Sequence, residues 1–99
     1  MPSIAKNLDL VRAFVTIAGA GNFTRAAETL RRQQSTISSQ VQRLEDGLGQ
    51  KLFDRNSHSV KLTCEGQIFL GYATRLLDLN DHAVSRLNEP QMQGVRAKP

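Results

Sequence analysis

Hydroxyl and amide side chains crowd into one stretch, QQSTISSQVQRLE at residues 33–45, where Gln34, Ser35, Thr36, Ser38, Ser39 and Gln42 bring many hydrogen-bond donors and acceptors together. Such residues have little intrinsic preference for a helix. Ile37, Val41, Leu44 and Leu48 nevertheless fall at i, i+4, i+7 and i+11, one apolar stripe of a helix. With that stripe turned inward, the hydroxyls and amides are left near the N-terminal end and on the outer face. Amides on a rigid helix can make paired hydrogen bonds to adenine in the major groove of DNA, and hydroxyls can serve bases or phosphates. Taken alone, such a face is also what an ordinary solvated helix presents.

Elsewhere the reactive residue types are scattered. Asp9, Asp46 and Asp54 lie far apart, and neither His58 nor His82 has a partner at the spacing of a metal site or a catalytic triad. Cys64 is the single cysteine; no disulfide can staple the fold and no second thiol completes a redox pair, so it reads as a small packed residue. Arg43 and Glu45, late in the polar helix, are assigned structural polar contacts. These patterns predict a protein that is not an enzyme, with no catalytic residues, no metal and no cofactor of its own.

The chain has 99 residues, enough for one modest core and too few for a second independent domain. Aromatic residues make up 5% and tryptophan is absent, which predicts an aliphatic core between helices. No apolar run approaches the length of a bilayer span, and the start MPSIAKNL lacks the apolar centre of a secretory signal. A cytoplasmic protein with no membrane partner is expected. The net charge of +4 is unevenly spread: residues 23–62 carry seven basic side chains against four acidic ones, and residues 63–89 two basic against four acidic. A basic middle suits a polyanion, because neutralising phosphates releases condensed counterions. On charge alone a solvated surface is the simpler account.

The elements around the polar helix supply its frame. Leu10, Phe14, Ile17 and Ala18 form the buried stripe of a first helix, with Asn7 as its cap and Gly19 and Gly21 at its end. NFTRAAETLRR gives a short second helix, with Thr24 as N-cap and a small apolar face of Ala26, Ala27 and Leu30 that lets another helix cross closely. RRQQ leads into the polar helix, which Gly47 and Gly49 stop. KLFDR and VKL then read as two short strands about the turn NSHS, a hairpin. Thr63 caps a last helix running through Phe69, Tyr72, Leu76, Leu79, Ala83 and Leu87 to about Asn88, before Pro90 and a Gln/Gly-rich tail. At 1.5 Å per residue, roughly 25 residues extend about 37 Å, more than a domain of this size needs for its own core. Part of that apolar surface must be covered from elsewhere.

Two short helices joined by a tight turn, the second polar at its start and followed by a basic hairpin, describe a helix-turn-helix with a wing. The chain also resembles the LysR-type transcriptional regulators over about residues 8–88, through FVTIAGAGNFTRAAETL, QQSTISSQVQRLEDGLGQKLFDR and VKLTCEG. NLDLVRAFVTIA and GYATRLLDLNDHA look most similar to the LrhA/HexA-like subgroup of virulence and motility regulators. The resemblance implies a mostly α fold: a winged helix-turn-helix with a short two-stranded β wing, followed by a long linker helix through which two subunits dimerise. The expected organisation is a DNA-binding domain over residues 1–63, a linker and dimerisation helix over 64–89, and a tail over 90–99 leading to an effector-binding domain absent from this sequence. QGV near residue 94 resembles the start of that domain's first strand, so the chain reads as cut at a boundary. The implied partners are double-stranded DNA and a second copy of the chain, with a small-molecule effector acting only through the absent domain.

Residue by residue, the resemblance puts Thr24 and Arg25 against the phosphate backbone. It puts Gln34, Ser35, Thr36, Ser38 and Ser39 on the base- and phosphate-facing start of the recognition helix; the spacing alone leaves Gln42 on the same outer face. Arg55 matches the family's wing, and His58 either reaches a phosphate or a minor groove or stands as a solvated turn histidine. The dimer seam is assigned to Phe69, Tyr72, Leu76, Leu79 and Ala83, some of which also serve the local core. The chain departs from the family pattern at Gln33, where a capping Ser is usual, at Arg32, usually apolar, and at Ser39, often Arg. Ser57, His58 and Ser59 stand where Gly-Arg-Gly is common. The competing reading is a helical protein-interaction module that uses the long helix as its functional surface and binds no specific DNA.

Overall fold

The computed structural model describes residues 4–55 and 60–89. Its elements follow in the order α1 (Ile4–Ala20), α2 (Phe23–Leu30), α3 (Gln34–Leu48), β1 (Phe53–Asp54), β2 (Lys61–Leu62) and α4 (Cys64–Leu87). The strands pair antiparallel, Phe53 opposite Leu62 and Asp54 opposite Lys61. The result is the expected mostly α winged helix-turn-helix, with a short two-stranded wing and a long final helix.

In α1 the predicted stripe is buried at Phe14 and Ile17, with Val11 and Ala13 beside them and Leu10 and Ala18 at its margins. Asn7 does not cap this helix. The backbone is already helical from Ile4, since nothing in IAKN interrupts propagation. Gly19 also lies inside it, and the chain turns only after the Gly21 N–H has closed on the Ile17 carbonyl at 2.9 Å. In α2 the cap is Asn22, not Thr24: its side-chain oxygen accepts from the Arg25 N–H at 2.7 Å. Asparagine caps at least as well as threonine, and starting there brings Phe23 into the first turn, where it meets Phe53. Ala26 and Ala27 are buried as the close helix crossing requires. Gly47 stays within α3, and the helix ends at Gly49, whose φ of 71° is a left-handed turn that glycine takes without a Cβ penalty.

The core is less aliphatic than expected. Phe14 is fully buried at its centre, its ring 5.2 Å from Phe53 and 5.4 Å from Phe69, and Phe23 lies 6.3 Å from Phe53. Every phenylalanine of the chain thus joins one run of tilted and edge-on contacts, which attract beyond the area they bury. The aromatics are few, but they occupy the point where α1, α2, β1 and α4 converge. Ile17, Ile37, Val41 and Leu52 fill the space around them.

Thr63 caps α4 as expected, and does more. Its hydroxyl accepts from the Gly66 N–H at 2.9 Å and donates to the Lys51 carbonyl at 2.6 Å, so the start of α4 is pinned to the chain entering the wing. Gly66 lets the helix approach that segment, because a Cβ there would run into the Leu52 carbonyl oxygen. Ala73 and Leu77 are the buried contacts of α4, flanked by Phe69 and Leu70, which are half-buried. Two residues expected to be packed are not: Leu48, the last of the α3 stripe, is 43% exposed, and Cys64 is exposed at the first position of α4. Leu48 sits in the final turn of α3 and is not part of the buried core. The wing tip with Ser57, His58 and Ser59, and the tail over 90–99, lie outside the described residues.

Candidate nucleic-acid interface

The polar start of α3 stands free of the molecule that holds it. Gln34, Ser35, Thr36 and Ser39 are exposed, and Ser38 and Gln42 half-buried, while Ile37 and Val41 directly behind them have no solvent exposure. The Gln42 side chain donates to Asp46 Oδ1 at 3.0 Å, which orients it along the helix. Gln33 occupies the N-cap with extended backbone and makes no side-chain capping bond.

What fixes the direction of this helix is Glu45. Only 3% exposed, it accepts through Oε2 from the backbone N–H groups of Leu52 at 2.8 Å and Phe53 at 3.2 Å. Its Oε1 faces Arg55 Nη2 at 3.4 Å and Lys51 Nζ at 3.9 Å. A buried carboxylate is tolerable only when paired and hydrogen-bonded, and here both conditions are met by the strand that opens the wing. The structural role assigned to Glu45 is therefore specific: it ties α3 to β1. Arg55 belongs to the same knot, with its guanidinium also 5.5 Å from the centre of the Phe23 ring. The structure thus places this wing residue against α2 and α3.

Thr24 and Arg25 are exposed in the first turn of α2. Thr24, Gln33 and Gln34 edge one shallow depression together with Ala27, Glu28, Arg31 and Arg32. The starts of α2 and α3, separate in sequence, therefore border a single surface. The helix cap at Asn22 does not follow from the spacing of the apolar residues; the Asn before Phe in GNFT is its signal.

A second surface runs along α4. Ile68, Tyr72, Leu76, Leu79, Ala83 and Leu87 are exposed and, at about 100° per residue, fall within an arc of roughly 100°. Tyr72, Leu76, Leu79 and Ala83 of the predicted seam belong to it. Phe69 turns inward to Phe14 instead, and Ile68 and Leu87 extend the stripe at either end. Leu48 from α3 joins Ile68 and Tyr72 in a shallow apolar groove floored by Leu52 and Phe69. Among the described residues no group of His, Cys, Asp or Glu is disposed to hold a metal, and no helix is long and apolar enough to cross a membrane.

Residues 8–67 match the family of bacterial regulatory helix-turn-helix proteins of the lysR type. The chain is similar to the HTH-type transcriptional regulator PecT of Dickeya dadantii (strain 3937), with 42% identity over 94 residues, covering 95% of this chain and 30% of that protein. Among solved structures it is similar to BenM_DBD in its complex with benA site 1 DNA, at a TM-score of 0.79 and 39% identity over 85% of this chain and 98% of that one. Full-length CbnR complexed with its target DNA matches at a TM-score of 0.75 and 35% identity, over 80% of this chain and 27% of that one. The chain spans less than a third of the length of the curated relatives it matches first, at 30%, 29% and 24%.

Proposed function

The chain belongs to the lysR family of bacterial regulatory helix-turn-helix proteins, and from that membership we propose that it binds double-stranded DNA sequence-specifically, as the DNA-binding part of a cytoplasmic transcriptional regulator. The observation that carries this reading is the start of α3. There Gln34, Ser35, Thr36 and Ser39 are exposed and their side chains have no hydrogen-bond partner among the described residues, on a helix whose far end is locked by Glu45. In the major groove Gln34 and Thr36 face base edges, while Thr24, Arg25 and the serines of α3 meet phosphates. Residues 1–63 form the reading unit and 64–89 the linker.

The stripe on α4 supports a homodimer. Along it the residues Ile68, Tyr72, Leu76, Leu79, Ala83 and Leu87 are spaced so that the pattern reads the same in both directions, with its centre at Leu77–Asp78. A helix with that symmetry can meet a copy of itself antiparallel about a two-fold axis, Ile68 opposite the partner's Leu87 and Leu76 opposite the partner's Leu79. The partner's Leu87 then enters the groove at Leu48, Ile68 and Tyr72. Such pairing removes apolar area from water at roughly 25 cal/mol per Å² and fixes the spacing of two recognition helices on a two-fold-related site.

Selection from random duplexes, followed by titration of the selected site at several salt concentrations, tests the first part: a half-site repeated with two-fold symmetry is expected, with affinity falling as salt rises. No preference among duplexes, and no salt-dependent binding, would leave the helical interaction module as the better account. For the dimer, Leu76→Glu and Leu79→Glu each place two charges at the axis of one pair. Sedimentation should show monomers that retain the helical spectrum and bind a half-site weakly. A wild-type chain that stays monomeric at high concentration and on a full site removes the α4 seam.

A further inference from the structure

The turn between α2 and α3 has the geometry of one kind of residue and the chemistry of another. Arg31 lies at φ 56°, ψ 46°, and among the described residues it is the one non-glycine with positive φ. Its N–H donates to the Glu28 carbonyl at 3.2 Å and the Arg32 N–H to the Ala27 carbonyl at 3.0 Å, the paired bonds of a Schellman ending. That ending ordinarily takes glycine at the left-handed position and an apolar residue at the next, which packs back on the helix. Arginine stands at both. Neither is needed for the turn, and the first makes it less favourable. Residues that break a local rule in two adjacent places point to a role outside the fold.

The setting indicates which role. Both arginines are exposed and neither forms an ion pair or side-chain hydrogen bond among the described residues, whereas Lys51 and Arg55 face Glu45. They edge the depression shared with Thr24, Gln33 and Gln34, with Glu28 as its one acidic member. Their guanidiniums therefore flank the end of α3 that the proposed function turns toward DNA. We propose that Arg31 and Arg32 form a phosphate clamp, gripping the phosphodiester chain beside the groove that α3 enters and contributing affinity without reading sequence. Guanidinium suits this work because its planar donors match two phosphate oxygens at once. The inference rests on the duplex-binding reading above.

The test uses the full chain, a duplex carrying the selected site and a duplex of scrambled sequence, each titrated by fluorescence anisotropy over a range of salt, with thermal unfolding of each variant beside it. Arg31→Gly keeps the left-handed turn and relieves its Cβ, so it should unfold at the same temperature as wild type or higher. It should nevertheless bind both duplexes several-fold more weakly, and the slope of log K against log salt should flatten by about one for each phosphate that is no longer neutralised. Arg32→Ala should weaken both duplexes in the same way, and the double variant should flatten the slope further. Wild-type affinity and slope in both single variants would overturn the clamp, as would a weakening confined to the selected site. So would weaker binding by Arg31→Gly that follows a lowered unfolding temperature. A wild-type chain that binds neither duplex overturns the underlying reading instead, so the two failures are distinct.

Discussion

The two ends of α3 obey opposite rules. At the C-terminal end Val41 and Leu44 are buried, Glu45 accepts two backbone N–H bonds from the wing strand and faces two cations, and Gly49 closes the helix. At the N-terminal end the cap position makes no capping bond, and the side chains of Gln34, Ser35 and Thr36 make no hydrogen bond among the described residues. An internally bonded group has a fixed position and little capacity left for another molecule; an unbonded one has the reverse. A reading helix needs both, and this one separates them by about two turns. The anchored end sets the angle at which the free end is presented.

The sharpest way to break that contrast is to remove the anchor. Glu45→Ala would leave the Leu52 and Phe53 N–H groups buried without an acceptor and Arg55 without its carboxylate, a destabilisation of roughly 2–4 kcal/mol. Denaturant unfolding should read that change directly, and Glu45→Gln, which keeps one acceptor oxygen, should fall between it and wild type. If Glu45→Ala unfolds no more easily than Gln34→Ala, the two ends are not different in kind.

At the free end the expected effects move from stability to recognition. Gln34→Ala and Thr36→Ala remove side chains with no hydrogen-bond partner among the described residues, so unfolding should barely change. Base preference at one or two positions of each half-site should relax by about 1–3 kcal/mol, the discrimination of a well-placed base contact. Unchanged preference in both, with the fold intact, would take these residues off the base edges.

This division also explains what is legible in the sequence. The apolar stripes of α1 and α3, the alanine face of α2 and the cap at Thr63 follow from periodicity and local chemistry, and the structure has them. The free polar face of α3 is visible for the same reason, as whatever the stripe leaves over. Interactions across long sequence separations are not. Glu45 can be assigned a structural contact, but its partners Leu52 and Phe53 are set by where the chain returns after Gly49. The ring contacts of Phe14 with Phe53 and Phe69 depend likewise on three elements meeting. Gly66 reads as an ordinary helical residue until the Leu52 carbonyl stands against it. Leu48 fits the stripe by spacing, but at the last position of α3 it is left outside the buried core.

The smallest effect bears on the bare cap. Gln33 has the extended backbone of an N-cap without a side chain short enough to accept from the N–H groups of Ser35 or Thr36. Serine supplies that acceptor, so Gln33→Ser should raise stability by about 1 kcal/mol, leaving the exposed face and its base preference as they are. Aspartate supplies the same acceptor and adds a negative charge where the helix dipole favours it, so Gln33→Asp should stabilise at least as much. On DNA the two must part, because the same position borders the surface proposed to meet phosphates. Gln33→Asp should weaken binding to any duplex, most at low salt, while Gln33→Ser should not. If aspartate stabilises the fold and leaves DNA affinity untouched at low salt, the N-terminal end of α3 is not close to the phosphate backbone, and the contrast between its two ends concerns folding alone.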